Sequence, residues 1–126
     1  MKTKVLIVLS VTVALLMISS PMLSHHGTGI SYDSTKPVAF KAVITKFIWA
    51  NPHSVILFDV KDEQGNIQHW SGEGNSPYSW GRAGYTATTV KPGDEVTIHL
   101  TRSRGGLNVG LVQKVVLANG QEVLKQ

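Results

Sequence analysis

The sequence predicts an all-β protein that contains one short helix. Apolar residues alternate with other residues from Val38 to Ile44, which is the period-two pattern of a half-buried strand. Further short apolar runs follow, separated by polar turns rich in Gly, Pro, Asn and Asp. Helix signals cluster in one place, where Ser76 suits the N-cap, Pro77 the first helical position and Gly84 the C-terminal exit.

The first predicted strand changes phase near its middle. The apolar residues up to Ile44 share one face, whereas Phe47 and Trp49 lie in the opposite phase and Lys46 takes the apolar position. A phase change within a strand indicates a bulge or a sharp bend. Asn51-Pro52 ends the strand, because proline cannot donate a hydrogen bond to the ladder.

The order of the strands and the helix along the chain indicates the type of fold. The helix falls between the third and fourth strands, which favours a five- or six-stranded OB-like Greek-key barrel over the alternative of a simple meander sandwich. A bent first strand fits this barrel, since it must serve both halves. The predicted later strands are residues 54–61, residues 67–72, a strand with Val96, Ile98 and Leu100 inward, residues 107–117, and Glu122–Val123.

Residues 1–24 predict a cleaved signal peptide. Lys2 and Lys4 give a positive start, an apolar run follows over residues 5–18, and Ser24 provides a small-residue exit. The run is shorter than the ~20 residues that span a bilayer, although an uncleaved N-terminal anchor is the alternative. We therefore expect a periplasmic or secreted protein with an extended arm over residues 25–37 and a barrel domain over residues 38–126. We expect the protein to contact the membrane only through its signal peptide, before the peptide is cleaved.

Charge and cysteine content exclude some classes of protein. Without residues 1–24, ten basic residues face eight acidic ones, a net charge of +2, which is too mild for the concentrated basic footprint of a nucleic-acid binder. The chain has no cysteine, so neither a disulfide nor a cysteine-attached lipid stabilises or anchors it. Packing and hydrogen bonds must hold the core.

Three histidines suggest a copper site. Cleavage after Ser24 makes His25 the N-terminal residue, followed directly by His26. The free amine and ring nitrogen of an N-terminal histidine form a chelate, and a further histidine completes the arrangement called a histidine brace. His53, which follows Asn51-Pro52, is the candidate for that ligand. Nitrogen donors favour Cu(II) among the divalent first-row metals. The alternatives are a solvated dipeptide with adventitious affinity and a His53 that only fixes its turn.

Candidate ligand-binding residues are Trp49, Trp70 and Glu73. Tryptophan rings stack well on ligands, although core packing is their more frequent role in a small domain. Glu73 lies between glycines before the helix, and no second acid lies nearby to form an acid–base pair. A salt bridge from Glu73 to Arg82 on the helix is the structural expectation. We find no catalytic residues, since no serine or cysteine nucleophile arrangement is recognisable.

These motifs together resemble a bacterial family of small secreted proteins with a domain of unknown function, whose mature chains begin His-His-Ser and contain Asn-Pro-His. The resemblance implies export and a small β domain, and no activity. Gly27 stands where the family has serine, Gly29-Ile30 replaces an aromatic-containing segment, and Trp80 replaces an aliphatic residue. The matching segments are residues 24–26, 32–33, 36–37, 49–53, 70–73, 75–77, 82–85 and 91–94.

Three classes of function follow. The first is a non-enzymatic periplasmic binding or accessory protein with copper at its N-terminal histidines. The second is a metal-free barrel that binds a protein or small ligand. The third is a copper-dependent enzyme, for which the sequence shows neither an open coordination position nor a substrate cleft. No other cofactor is indicated.

Overall fold

The computed structural model describes residues 32–126. The predicted signal peptide, His25 and His26 lie outside the described residues. Within residues 32–126 no helix has the length and apolar character needed to cross a membrane. The elements, numbered in chain order, are β1 Tyr32–Ile48, β2 Val55–Lys61, β3 Ile67–Glu73, α1 Pro77–Arg82, β4 Glu95–Ser103, β5 Val109–Leu117 and β6 Glu122–Val123.

The strands form a closed barrel. Their order in the sheet is β3-β2-β1-β4-β5-β6, and an additional parallel pairing of β3 with β5 closes the first five strands. The closing register pairs Ser71 with Val109 and Glu73 with Leu111. β6 extends the sheet beyond the barrel through its pairing with β5. The predicted barrel, with a helix between the third and fourth strands, is confirmed.

β1 serves both halves of the barrel, as its phase change indicated. Ile44 pairs with Phe58 but Lys46 pairs with Leu57, so Thr45 is the extra residue of a bulge. Such a bulge bends the strand and restores the apolar phase. Val43, two residues before Thr45, pairs with a residue of β2 and with a residue of β4.

The structure differs from the prediction at the start of β1. The strand begins at Tyr32, so residues 32–37 of the expected arm belong to it. Tyr32 pairs with Ser103 of β4, and the ladder becomes regular from Pro37 onward. Hydrophobic periodicity could not reveal this section, because its residues after Tyr32 are polar and largely exposed.

The core lies inside the barrel. Ile56, Phe58, Ile98 and Leu100 are each no more than 1% exposed and belong to one cluster, as the predicted barrel implies. Trp70 stacks on Phe58 with 6.3 Å between ring centroids. In β2 and β4 the residues that face the core are therefore the predicted ones.

The helix packs on the barrel through one side chain. Trp80 is 1% exposed, and its indole nitrogen donates a 2.9 Å hydrogen bond to the Lys125 carbonyl. Ser76 caps the helix by accepting from the Ser79 backbone, as predicted. Gly74, between β3 and the helix, lies so close that an added Cβ would be 2.0 Å from the Trp80 ring. The Trp80 ring thus fixes the path of the chain that leaves β3.

Candidate functional site

His53 lies in the loop between β1 and β2, next to the end of β3. Two backbone hydrogen bonds fix this position: the Ser54 amide donates to the Asn75 carbonyl at 3.0 Å, and the Gly74 amide donates to the Ser54 carbonyl at 2.8 Å. The side chain of His53 remains 47% exposed. The loop is therefore well anchored while the imidazole stays accessible to a ligand.

Glu73 connects His53 to the start of β1. It is the last residue of β3 and pairs with Val55 of β2. The Tyr32 hydroxyl donates a 2.7 Å hydrogen bond to Glu73 Oε2, and His53 Nδ1 lies 3.7 Å from Glu73 Oε1. We name these three residues, Tyr32, His53 and Glu73, the Glu73 cluster.

Tyr32 forms hydrogen bonds through both its side chain and its backbone. Its residue is 8% exposed, and Arg104 Nε donates a 3.1 Å hydrogen bond to its backbone carbonyl. Burial raises the pKa of the Tyr32 phenol well above its usual value, and the hydrogen bond and the negative charge of Glu73 raise it further. Tyr32 is thus a neutral, fixed donor to the Glu73 carboxylate at physiological pH.

The predicted salt bridge between Glu73 and Arg82 is wrong. Arg82 Nη1 donates a 3.3 Å hydrogen bond to the Tyr78 hydroxyl, and the guanidinium lies 5.9 Å from the centre of the Tyr78 ring. Both partners are on the exposed surface of α1. Tyr32 and His53, which are distant in sequence, lie beside Glu73 instead.

A buried hydroxyl adjoins the cluster. Ser54 is fully buried, and its Oγ has no hydrogen-bond partner within residues 32–126. Buried polar groups almost always have a partner, so a hydroxyl of this kind marks a position where a water or a ligand atom would be favourable. The hydroxyl belongs to the residue that directly follows His53.

The described residues do not supply a complete metal site by themselves. Within residues 32–126 no group of three or more His, Cys, Asp or Glu side chains is placed to hold a metal ion. His26, however, precedes Tyr32 by six residues. Six residues span at most about 20 Å when extended. Residues 25 and 26 lie outside the described residues, so their role as the remaining ligands of a metal at His53 stays a prediction.

The two tryptophans proposed as ligand contacts both pack within the protein. Trp70 is 7% exposed and stacks on Phe58, and the Arg102 guanidinium lies 5.1 Å from the centre of the Trp70 ring. Trp49 is partly buried and stacks against Trp80 with 6.3 Å between centroids. Both rings contribute to packing, and a role in ligand binding stays a prediction.

Sequence reasoning did not identify Tyr32 and Arg104 as site residues. Both lie in polar segments without periodicity, and only strand pairing brings Tyr32 to the end of β3. A second histidine–carboxylate pair was also missed: His69 Nδ1 lies 2.6 Å from Asp59 Oδ1 on neighbouring strands. His69 is 83% exposed, so this pair is a surface feature of the sheet.

Fold and cluster together define a small closed β-barrel domain with a polar site where the first strand starts. The chain belongs to a family of unknown function, DUF6152, whose model matches residues 13–114. No curated protein matches the chain. No solved structure matches it either. The predicted membership of a family without an assigned activity is confirmed, while the His-His-Ser and Asn-Pro-His motifs of that family stay predictions.

Proposed function

We propose that the protein is an exported, non-enzymatic accessory protein that binds one Cu(II) ion through His25, His26 and His53. One observation carries this proposal. The hydrogen bond from Tyr32 to Glu73 fixes the start of β1 beside the carboxylate that faces His53. In this proposal the segment bearing His25 and His26, which precedes Tyr32 in the sequence, meets the third histidine near the start of β1.

The donor set suits copper. Removal of residues 1–24 frees the amine of His25, which chelates a metal together with its own ring nitrogen. His53 adds an imidazole from the anchored loop between β1 and β2. His26, adjacent to the chelate, supplies a further imidazole. Nitrogen ligands of this type bind Cu(II) more tightly than Ni(II) or Zn(II), in accord with the general affinity order.

Glu73 supports His53 in this arrangement. Histidines that bind metals almost always direct their second ring nitrogen toward a carboxylate, a carbonyl or a water, which fixes the tautomer and the ring orientation. Glu73 Oε1 lies on the Nδ1 side of His53, at 3.7 Å, which leaves Nε2 for the metal. Tyr32 holds the other carboxylate oxygen, so Glu73 cannot readily turn away.

The experiment that tests this proposal compares two histidine variants of the processed protein. Calorimetric titration and paramagnetic resonance should show one Cu(II) per chain with nitrogen ligands. His53→Ala should weaken binding about tenfold or more, because loss of a ligand costs at least as much as loss of its outer-shell partner. His69→Ala is the matched control, since His69 is also paired with a carboxylate but lies outside the cluster. Equal affinity in wild type and His53→Ala would contradict the proposal.

A further inference from the structure

A second concave surface lies away from the Glu73 cluster, where β1 changes partners. At Val43 the strand pairs with Asp59 of β2 on one side and with Glu95 of β4 on the other. A cavity of about 630 Å³ opens here, and none of its lining residues belongs to the Glu73 cluster. Small-molecule sites have volumes of about 300–1,000 Å³. The cavity is thus large enough for a small ligand.

The centre of this cavity is apolar and open to water. Val43 and Ile67 line it and are 41% and 50% exposed, which makes them two of the four most exposed large apolar residues among those described. Leu117 and Val96 also line it and continue the apolar surface toward the core. An apolar group placed on these side chains would gain free energy by removing them from water.

Charges of both signs surround the apolar centre. Lys41, Lys61, Asp59 and Glu95 all line the cavity. Within residues 32–126 no ion pair involves Lys41, Lys61 or Glu95. Residues 1–31 contain no acidic side chain that would pair with the two lysines. Asp59 is hydrogen-bonded to His69. Lys41 lies two residues before Val43 and so shares its face of β1.

From these features we infer that the cavity binds a zwitterionic molecule with an apolar body, the chemistry of a hydrophobic amino acid or short peptide with free ends. A carboxylate on the ligand would lie near the two lysines, an amine near Glu95 and Asp59, and the apolar body over Val43 and Ile67. A purely anionic amphiphile would meet the carboxylates of Glu95 and Asp59, which like-charge repulsion disfavours. This inference does not depend on copper binding.

The test uses metal-free processed protein and three probes in a methyl NMR titration. Leucyl-leucine has both charges, octanoate carries only the negative one, and N-acetyl-leucyl-leucine amide carries neither. We expect saturable shifts at the methyls of Val43, Ile67 and Leu117. Leucyl-leucine should bind about fivefold more tightly than either of the other probes, which is the upper end of the range for one exposed charge pair.

Variants test the role of the charges. Lys41→Ala, Lys61→Ala and Glu95→Gln should each weaken leucyl-leucine binding about two- to fivefold. Lys91→Ala, a lysine outside the cavity, should leave binding unchanged. Three results would overturn the inference: no shift with leucyl-leucine, equal binding of octanoate or the amide, or methyl shifts that depend on protein concentration alone, which would show that a second copy covers the cavity.

Discussion

The Tyr32 hydroxyl donates a 2.7 Å hydrogen bond to Glu73 Oε2 across a sequence separation of 41 residues. This bond joins the first residue of β1 to the last residue of β3, two strands that are not neighbours in the sheet. Glu73 is 28% exposed at its side chain and also faces His53. The bond thus ties the start of β1 to the carboxylate beside the loop that carries His53.

Tyr32→Phe should lower the free energy of unfolding by about 1–2 kcal/mol, because it removes a hydrogen bond to a partly buried carboxylate. A double-mutant cycle with Glu73→Gln should give a coupling energy of similar size. Urea unfolding measures both quantities. Tyr78→Phe is the control, since Tyr78 is 70% exposed and should cost less than about 0.5 kcal/mol. A coupling energy near zero would show that the two residues do not interact in solution.

Gly74→Ala and Gly81→Ala should have opposite effects on stability. A Cβ at position 74 would lie 2.0 Å from the Trp80 ring, whereas a Cβ at position 81 meets nothing within 4 Å. Gly74→Ala should cost about 1–3 kcal/mol through overpacking. Gly81→Ala should be neutral or stabilise by up to about 1 kcal/mol, because alanine is the better helix former. Thermal unfolding of both variants checks this, and a tolerated Gly74→Ala would refute the packing of Trp80 against Gly74.

Phe58→Ala should destabilise the barrel by about 3–5 kcal/mol through lost burial and the cavity that remains. Phe58 is 1% exposed and stacks on Trp70, so few neighbours are free to fill the space. Leu107→Ala is a suitable comparison, since Leu107 is 66% exposed in the loop before β5. Chemical unfolding should separate the two variants clearly. A cost below about 1 kcal/mol for Phe58→Ala would mean that β2 has the opposite register.

Asp62 makes the stability of the folded protein depend on pH in the acid range. Desolvation alone would raise the pKa of its carboxyl, but hydrogen bonds from Asn66, Gln68 and Gln64 outweigh it and hold the pKa below its usual value. A group whose pKa is lowered by folding stabilises the native state above its unfolded pKa of about 3.9, and this contribution disappears as the pH falls through the folded pKa.

Asp62→Asn should therefore lower the melting temperature at pH 7 and have little effect once the wild-type carboxyl is protonated. The measurement is a pair of melting curves, one at pH 7 and one well below pH 4, for wild type and variant. A deficit of the same size at both values would show that charge on Asp62 does not stabilise the turn between β2 and β3.

Much of the fold follows from local pattern. An apolar run located β2, alternation gave the inward face of β4, and the phase change before Phe47 revealed the bulge at Thr45. Ser76 and Gly84 located the helix, since capping preferences are a local property. The sequence did not predict a strand at residues 32–37, because β4 pairs with them irregularly and their side chains are mostly exposed.

The candidate site was harder to predict because it depends on contacts between distant residues. His53 and Glu73 were selected from their own surroundings, but their proximity to each other follows from the pairing of β2 with β3. Tyr32 reaches Glu73 only because the barrel closes between β3 and β5. Glu73 was paired with Arg82 on sequence proximity, whereas Arg82 binds Tyr78 on its own helix. Strand topology, rather than separation in sequence, decides which polar groups meet.

The most direct test of the copper proposal adds one residue. A processed protein that begins with an extra glycine before His25 keeps every side chain but moves the free amine away from the His25 ring. Calorimetric titration with Cu(II) compares it with the processed protein that begins at His25. We predict that the extended protein binds Cu(II) at least about tenfold more weakly, which is the smallest loss expected when a metal ligand is removed. Equal affinity in the two proteins would contradict the proposed copper site.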